Sequence, residues 1–457
     1  VIDIVSVAEM GAHDAAALEE TSHDELVRRA GHAVAHRAIE LLEGASGRHI
    51  VVLAGSGSNG ADGRVAAALL RRRGAAVRVL GPSARSEDLA GAELVIDAAF
   101  GTGLSRPYEA PVPPEGALVL AVDLPSGLDG DTGAVRGAPM RADATVTMAA
   151  PKVGLLLGDG PELAGEVTVA DIGIATPGAT MALVEDADLD ALPRREASAH
   201  KWSAAVVMLA GSAGMEGAAA LSALGALAAG AGMVRLVSNG SVARIPIEVV
   251  VHGAGPTDMA ATVLAEARRA GALVVGPGLG ADPTMAAAVR RVLEERTAPV
   301  VLDADGLGAV GDLDELARLV AARPHPVVVT PHDGELARLV GAPLSADRLA
   351  QLRDVVATTG ATLLSKGPTT VVVAPGHEEP TVLLVDAGTP ALATAGTGDV
   401  LSGVIGALLA QGMTAPAAAA LGAHLHGRAG ARARGTLVAS MLPGLVGELL
   451  WEVERGG

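Results

Sequence analysis

Short runs of Val, Ile, Leu and Ala recur along this chain, several of them closed by glycine or an acid, and they alternate with Gly turns and stretches of helical spacing. In the first half the runs are residues 50–54, 77–80, 94–97, 118–122, 144–148 and 167–169. They are apolar at nearly every position, not at every second one, so both faces of their sheet must be covered. Strands separated by helices become parallel neighbours, and the pattern therefore specifies an α/β fold. A second series occupies residues 205–209, 233–237, 272–275, 300–302, 327–330, 362–364 and 370–373. Ahead of the first series, residues 8–42 read as two helices, the second opened by Ser22 and Glu25 in capping-box spacing. Between the series, residues 185–199 are rich in Asp, Glu and Arg, contain Pro193 and lack periodicity. The expected organisation is a domain at 1–184, a linker at 185–199 and a second domain at 200–457. No repeat aligns the halves, so they read as a fusion of unlike α/β domains.

Charge and composition narrow the partners. With a formal net charge of −18 over 457 residues, nucleic acid and anionic membranes are disfavoured as partners. Any phosphate site must be local, built from backbone amides and a few Lys or Arg. Aromatic residues are confined to Phe100, Tyr108, Trp202 and Trp451, too few for base stacking to dominate ligand binding. The absence of cysteine excludes disulfides, zinc–thiolate sites and Cys nucleophiles. No secretory signal is expected at the N-terminus. Residues 218–234 are apolar for long enough to raise a membrane question, but they are mostly Ala and Gly and read as a buried helix. The expectation is a soluble cytoplasmic protein.

The most chemically suggestive stretch is Thr394-Ala-Gly-Thr-Gly-Asp-Val-Leu-Ser-Gly403, where small residues lead to Asp399 and then to an apolar run. A glycine turn opening a helix offers free N–H groups and the positive end of the helix dipole to phosphate. Asp399 would then lie beside a bound anion, where a carboxylate suits a general base for a hydroxyl attacking a terminal phosphate. Asp399 as a simple cap of its helix is the competing interpretation.

Three loops of the first half reach one sheet edge. Gly55-Ser-Gly-Ser-Asn-Gly-Ala-Asp-Gly63 follows the first strand and leads to a helical run at 64–73; Asp97 runs into Ala-Ala-Phe-Gly-Thr-Gly-Leu-Ser-Arg-Pro107; and Asp123 runs into Leu-Pro-Ser126. Loops at strand carboxyl ends converge on a crevice in such sheets. Asn59, Asp97, Asp123 and Ser126 could meet there, offering hard oxygen ligands for an alkali or alkaline-earth ion and one acid for proton transfer. Asp129 and Asp131 read as turn residues.

In order, these loops resemble the N-terminal domain of NAD(P)H-hydrate epimerases, which carry G-x-N-N-G-G-D-G, I-D-A-x-F-G-T-G-L and V-D-x-P-S-G. The resemblance implies a Rossmann-like three-layer domain in which Ser58, Asn59, Gly60, Ala61 and Asp62, with Gly101, Thr102, Gly103, Leu104, Ser105, Arg106 and Pro107, hold the substrate's phosphates and sugars. By the same likeness, Asp123 is catalytic and contacts the nicotinamide, and Asn59, Asp97 and Ser126 bind potassium. Ser58 stands in place of Asn and Ala61 in place of Gly, and Ala61 is expected to limit backbone φ or close approach.

In the second half, His200-Lys201, Gly211-Ser-Ala-Gly-Met-Glu-Gly-Ala218, Gly276-Pro-Gly-Leu-Gly280, Asp303-Ala-Asp305, Thr330-Pro-His-Asp-Gly-Glu335 and Lys366-Gly-Pro-Thr-Thr370 precede the Asp399 turn. Asp303 and Asp305 read more readily as hydrogen-bonded loop acids. The set resembles the ADP- or ATP-dependent NAD(P)H-hydrate dehydratases, of ribokinase-like fold. It implies Ala218, Gly278, His332 and Asp399 at the hydrate, and Lys366, Gly367, Pro368, Thr369, Thr370 and Gly398 at the nucleotide. Trp202 and Asp333 depart from the family's usual Gly and Pro. Together the halves resemble the bifunctional NAD(P)H-hydrate repair family, whose implied substrates are NADH and NADPH hydrates with ADP or ATP. The implied ions are K⁺ for the epimerase half and Mg²⁺ for the dehydratase half, and a homo-oligomer is implied. Two other readings are a ribokinase-type small-molecule kinase and a nucleotide-binding regulatory protein with vestigial sites.

Overall fold

In the computed structural model, which describes residues 1–104, 106–295, 298–376 and 379–456, every apolar run of the first half is a strand. These are β1 (His49–Ala54), β2 (Ala76–Leu80), β3 (Leu94–Ala98), β4 (Leu118–Val122), β5 (Ala144–Met148) and β6 (Glu166–Ala170). They pair in parallel in the order β2-β1-β3-β4-β5-β6. The direction of winding reverses between β1 and β3, so the loops leaving their carboxyl ends diverge and open a crevice. Helices α1 (Val7–Glu20), α2 (His23–Leu41) and α3 (Ser58–Arg72) belong to this unit. The capping box expected at Ser22 and Glu25 forms only in part. Ser22 Oγ accepts from the Glu25 N–H at 3.3 Å, but the Glu25 carboxylate is taken by Arg28 and Arg29. A complete box sits at Ser6 and Glu9, ahead of α1.

The second unit is built on β7 (Ala205–Leu209), β8 (Met233–Ser238), β9 (Val250–Gly253), β10 (Ala272–Val275), β11 (Val300–Leu302), β12 (Val327–Val329), β13 (Thr362–Ser365), β14 (Thr370–Ala374) and β15 (Thr381–Val385). Their order is β15-β14-β13-β12-β11-β10-β7-β8-β9. Pairing is parallel from β9 through β13, and the winding reverses between β7 and β10. Strands β14 and β15 pair antiparallel, because the links on either side of β14 are too short for a crossover helix. Strand β15 was not read from the sequence, although Val382 to Val385 is a short apolar run, and neither was β9. Strand β9 is a partly exposed edge strand and lacks a continuous apolar run.

Residues 218–234 are not one helix. They contain most of α4 (Glu216–Ala228) and the start of β8. Their small side chains let α4 pack against α11 (Thr397–Ala410): a Cβ at Gly225 would overlap the Val400 carbonyl, and one at Gly403 the Ser222 carbonyl. Between α4 and α11 lie α5 (Met259–Ala267), α6 (Pro283–Glu294), α7 (Asp305–Val310), α8 (Leu313–Ala321), α9 (Asp333–Val340) and α10 (Arg348–Thr359). No described helix is long and apolar enough to cross a membrane.

The compact units are residues 2–181 with 346–348, and residue 1 with 182–345 and 349–457. The linker expected at 185–199 therefore needs correction. Asp186–Ala191 forms a 3₁₀ turn whose Leu189, like Leu192 after it, is buried in the core of the second unit. Asp186 accepts from His424 Nε2 at 2.9 Å and pairs with Arg428 at 2.7 Å; both residues lie on α12 (Ala415–Ala431). Charged residues hid this anchoring because only Leu189 and Leu192 in the segment are buried.

Candidate active sites

Helix α3 begins at Ser58, earlier than the run at 64–73 suggested, so Asn59, Gly60, Ala61 and Asp62 lie in its first turns. Gly60 packs so tightly on the Gly55 backbone that a Cβ would overlap it. Ala61 is a helical residue whose N–H donates to the Gly57 carbonyl at 3.1 Å, a conformation alanine readily adopts. The expected limit on its φ does not arise. Ser58 Oγ lies 3.5 Å from His23 Nε2. Asn59 Nδ2 donates to the Val122 carbonyl at 2.7 Å and the Phe100 carbonyl at 3.4 Å. A Cβ at Gly101 would meet the Asn59 amide at 2.7 Å. Thr102, Gly103 and Leu104 continue that loop, and Arg106, just before Pro107, holds its guanidinium 6.0 Å from the Phe100 ring centre. Ser105 lies outside the described residues.

Asp97 is 1% exposed. Its carboxylate accepts from Ser126 N–H at 2.8 Å and Ser126 Oγ–H at 2.7 Å. Burial pushes it above the usual carboxylate range, and the Ser126 bonds only partly oppose this. Asp123 adopts φ +69°, a conformation costing on the order of 1–3 kcal/mol for a non-glycine residue. Its Oδ1 accepts from Lys152 Nζ at 2.5 Å, Thr147 Oγ1 at 3.1 Å and the Met148 N–H at 3.3 Å. Asp62 is buried and is pushed up to about 8 by that burial, with the charge of Asp123 adding to the effect. Asn59, Asp97 and Ser126 thus meet around the Phe100 backbone at the carboxyl ends of β3 and β4, whereas the Asp123 carboxylate, one residue past β4, is engaged by Lys152, Thr147 and Met148. Asp129 is a turn acid, accepting from Thr132 and paired with Arg136.

In the second unit, Gly396 takes φ +93° and opens α11 without a side-chain cap. Asp399 lies in the first turn and does not cap it. Burial pushes its carboxyl up to about 7; Asp303, Asp305 and Glu335 add to the rise and Lys366 opposes it. Lys366 Nζ donates to Asp303 Oδ1 at 2.9 Å and lies 3.9 Å from Glu335 Oε2. A Cβ at Gly398 would come within 3.5 Å of that ammonium, so Lys366 stands beside the start of α11. Gly367, Pro368, Thr369 and Thr370 follow it into β14. His332 caps α9 (Asp333–Val340) through Nδ1, which accepts from the Gly334 N–H at 3.0 Å. Its Nε2 therefore carries the proton of the neutral ring and lies 3.6 Å from Glu335 Oε1. Asp305 accepts from the Gly280 N–H at 2.8 Å. Gly278 has φ +64°, and a Cβ there would lie 2.9 Å from Ala218 Cβ.

Comparison with known proteins finds a family for each unit. The NAD(P)H-hydrate dehydratase family matches residues 206–451, and the YjeF-related protein N-terminus family matches residues 23–91 and 82–154. The bifunctional NAD(P)H-hydrate repair enzyme Nnr of Moorella thermoacetica is 36% identical, covering 94% of this chain and 93% of the relative. That of Mycobacterium leprae is 38% identical, with 93% of each chain covered.

This chain belongs to the bifunctional NAD(P)H-hydrate repair enzymes.

As a bifunctional NAD(P)H-hydrate repair enzyme it joins an epimerase domain to a dehydratase domain. A crystal structure of a ribokinase-like superfamily protein from Enterococcus faecalis has a TM-score of 0.52 at 23% identity, covering 60% of this chain and 96% of that one. The second domain thus has the ribokinase-like fold.

Sequence reasoning missed two residues in these repair-enzyme domains, Lys152 and His426, and the partner of a third, Asp303. Lys152, 1% exposed, is the counter-charge of Asp123. It follows the end of β5, and a lysine just past a buried strand was the available signal. Asp303 proves to be the partner of Lys366. His426 is buried, with Nε2 3.0 Å from the Thr397 carbonyl, and burial holds it down to about 4. It therefore stays neutral and donates to the first residue of α11. Replacing Lys152 by Met should strand the Asp123 carboxylate without its counter-charge and cost about 3 kcal/mol. A denaturant melt of Lys152→Met that overlays the parent protein would show that the pair contributes nothing to stability.

Proposed function

We propose that the crevice between β1 and β3 interconverts the R and S hydrates of NADH and NADPH. At the Asp399 turn, ADP or ATP then drives dehydration of the S hydrate. The observation that carries the second step is a half-buried carboxyl in the first turn of a glycine-opened helix, with one ammonium beside it. Asp399 takes the proton from the hydrate's hydroxyl as that oxygen attacks the terminal phosphorus and the bridging P–O bond breaks, releasing AMP from ADP or ADP from ATP. The Gly396 to Gly398 backbone faces the charge that develops on the phosphoryl oxygens, and Lys366 adds its own charge. The carbon–oxygen bond of the phosphorylated hydrate then breaks, a proton leaves the neighbouring carbon, and phosphate and the reduced nicotinamide are released. Mg²⁺ carried on the nucleotide would neutralise phosphate charge. Incubating the protein with mixed NADH hydrates, Mg²⁺ and either nucleotide should restore the absorbance of reduced nicotinamide. No recovery with either nucleotide would overturn this reading.

In the first unit the donors fit a monovalent cation. The Asp97 carboxylate is buried with no basic partner among the described residues, and Ser126 Oγ lies 3.0 Å from the Phe100 carbonyl. Asn59 bridges that carbonyl and the Val122 carbonyl. Potassium held by Asn59, Asp97 and Ser126 would supply the missing positive charge and draw these oxygens together. Asp123, fixed by Lys152, is then the group left to move a proton. Asp97→Ala is expected to impair epimerisation in a way that high potassium partly rescues, whereas Asp123→Ala should resist rescue at every concentration. Equal, salt-insensitive losses in the two variants would count against this division of roles.

A further inference from the structure

We propose that Asp303 is the positioning residue for Lys366. Its carboxylate holds the ammonium beside the glycine turn that receives the nucleotide's terminal phosphate. The inference rests on the nucleotide site and the base assigned above.

The backbone around Asp303 is tied down from several sides. Its N–H donates to the Val275 carbonyl at 3.1 Å and its own carbonyl accepts from the Gly306 N–H at 2.9 Å. Gly276 crosses so close that a Cβ there would overlap the Asp303 carbonyl. The next residue, Ala304, takes φ +48°, outside the range an alanine prefers. All of this orients a side chain that is 2% exposed and meets Lys366 at 2.9 Å.

The pair differs from Lys152–Asp123, which is a useful internal contrast. Lys152 is enclosed, 1% exposed, and its ammonium spends its other hydrogen bonds on Thr147 and the Met148 carbonyl. The Lys366 side chain is 22% exposed, with acids on one side and the start of α11 on the other. An ammonium tethered by one buried oxygen keeps donors free for a phosphate. A purely structural ion pair gains nothing from that opening.

The charged groups facing Asp399 are Asp303, Lys366, Asp305 and Glu335. Removing the Asp303 charge takes away the largest like-charge neighbour of Asp399 and frees Lys366 to approach it. Both changes favour the ionised base, so activity should persist to lower pH.

The test combines calorimetric binding of ADP with Mg²⁺, without hydrate, and the pH dependence of kcat for dehydration. Asp303→Asn and Lys366→Met are each expected to weaken ADP binding about tenfold or more. The double variant should bind no worse than Lys366→Met alone. The acid limb of the Asp303→Asn profile should lie below that of the parent protein. Additive binding losses, or an unmoved acid limb, would overturn the assignment. If Asp303→Asn does not fold, Asp303→Glu takes its place, since the longer arm must displace the ammonium and weaken binding without removing charge. Binding coupling that persists in a protein unable to turn over hydrates would refute the proposed reaction and leave the Asp303 assignment standing. Turnover without coupling would do the reverse.

Discussion

Asp399→Asn should lower hydrate dehydration by roughly two to four orders of magnitude, the usual worth of a general base, while ADP or ATP binds almost as before. The amide keeps the shape of the carboxylate but cannot accept the proton. Because the Asp399 carboxyl is pushed up to about 7, kcat of the parent protein should fall as pH drops through that value, and the residual activity of the variant should lack this limb. The same shift has a consequence for stability. A carboxyl whose folded pKa lies above its unfolded value binds more protons when folded, so stability declines as pH rises from about 4 to about 7. At neutral pH and above the folded protein carries this penalty, and Asn removes it. The variant should therefore melt higher at pH 8, by roughly 1–3 kcal/mol once screening is allowed for, and show little gain at pH 4. A variant with near-normal turnover would remove Asp399 from the mechanism; one that is inactive and also less stable at pH 8 would mean the carboxylate is satisfied by contacts that Asn breaks.

What could be read from the sequence was whatever a local pattern determines. Buried parallel strands are apolar throughout, so every strand of the first sheet and the parallel centre of the second were visible, whereas the edge strand β9 and the antiparallel β15 were not; acids placed at strand ends pointed to the crevices. Partners distant in sequence were not visible. Nothing near Asp123 indicates that Lys152 closes on it, because that contact depends on β5 lying beside β4. The same holds for Asp303 and Lys366, 63 residues apart. Ala61 shows the opposite error. It was read as strained because Gly55 to Gly63 looked like a loop, yet the helix starts at Ser58, and in a helix alanine costs nothing. The segment at 185–199 misled for a related reason: its charges are exposed, but two leucines among them are core residues.

Those leucines determine where the chain can be divided. Residues 182–457 should fold alone and use nucleotide to dehydrate the S hydrate, because strands β7 to β15, the 3₁₀ turn at Asp186–Ala191 and the helices over them share one core. A fragment starting at Ala191 would lose Leu189 from that core and leave His424 buried without Asp186. A cavity of that kind costs about 2–5 kcal/mol, so it should melt roughly 5 °C or more below the longer fragment. On mixed hydrates the longer fragment should stall once the S form is consumed, apart from slow spontaneous epimerisation of the R form. Adding residues 1–181 as a separate polypeptide should restore full conversion, since that unit carries its own core and all of Asn59, Asp97, Asp123 and Ser126, and the hydrate can diffuse between sites. Its helical Ala61 leaves no backbone obstacle to that activity. If the mixture stalls as early as residues 182–457 alone, while 1–181 is folded and supplied with potassium, then the exposed Ser58 that stands where the epimerases have Asn is the first place to look, and Ser58→Asn should restart conversion.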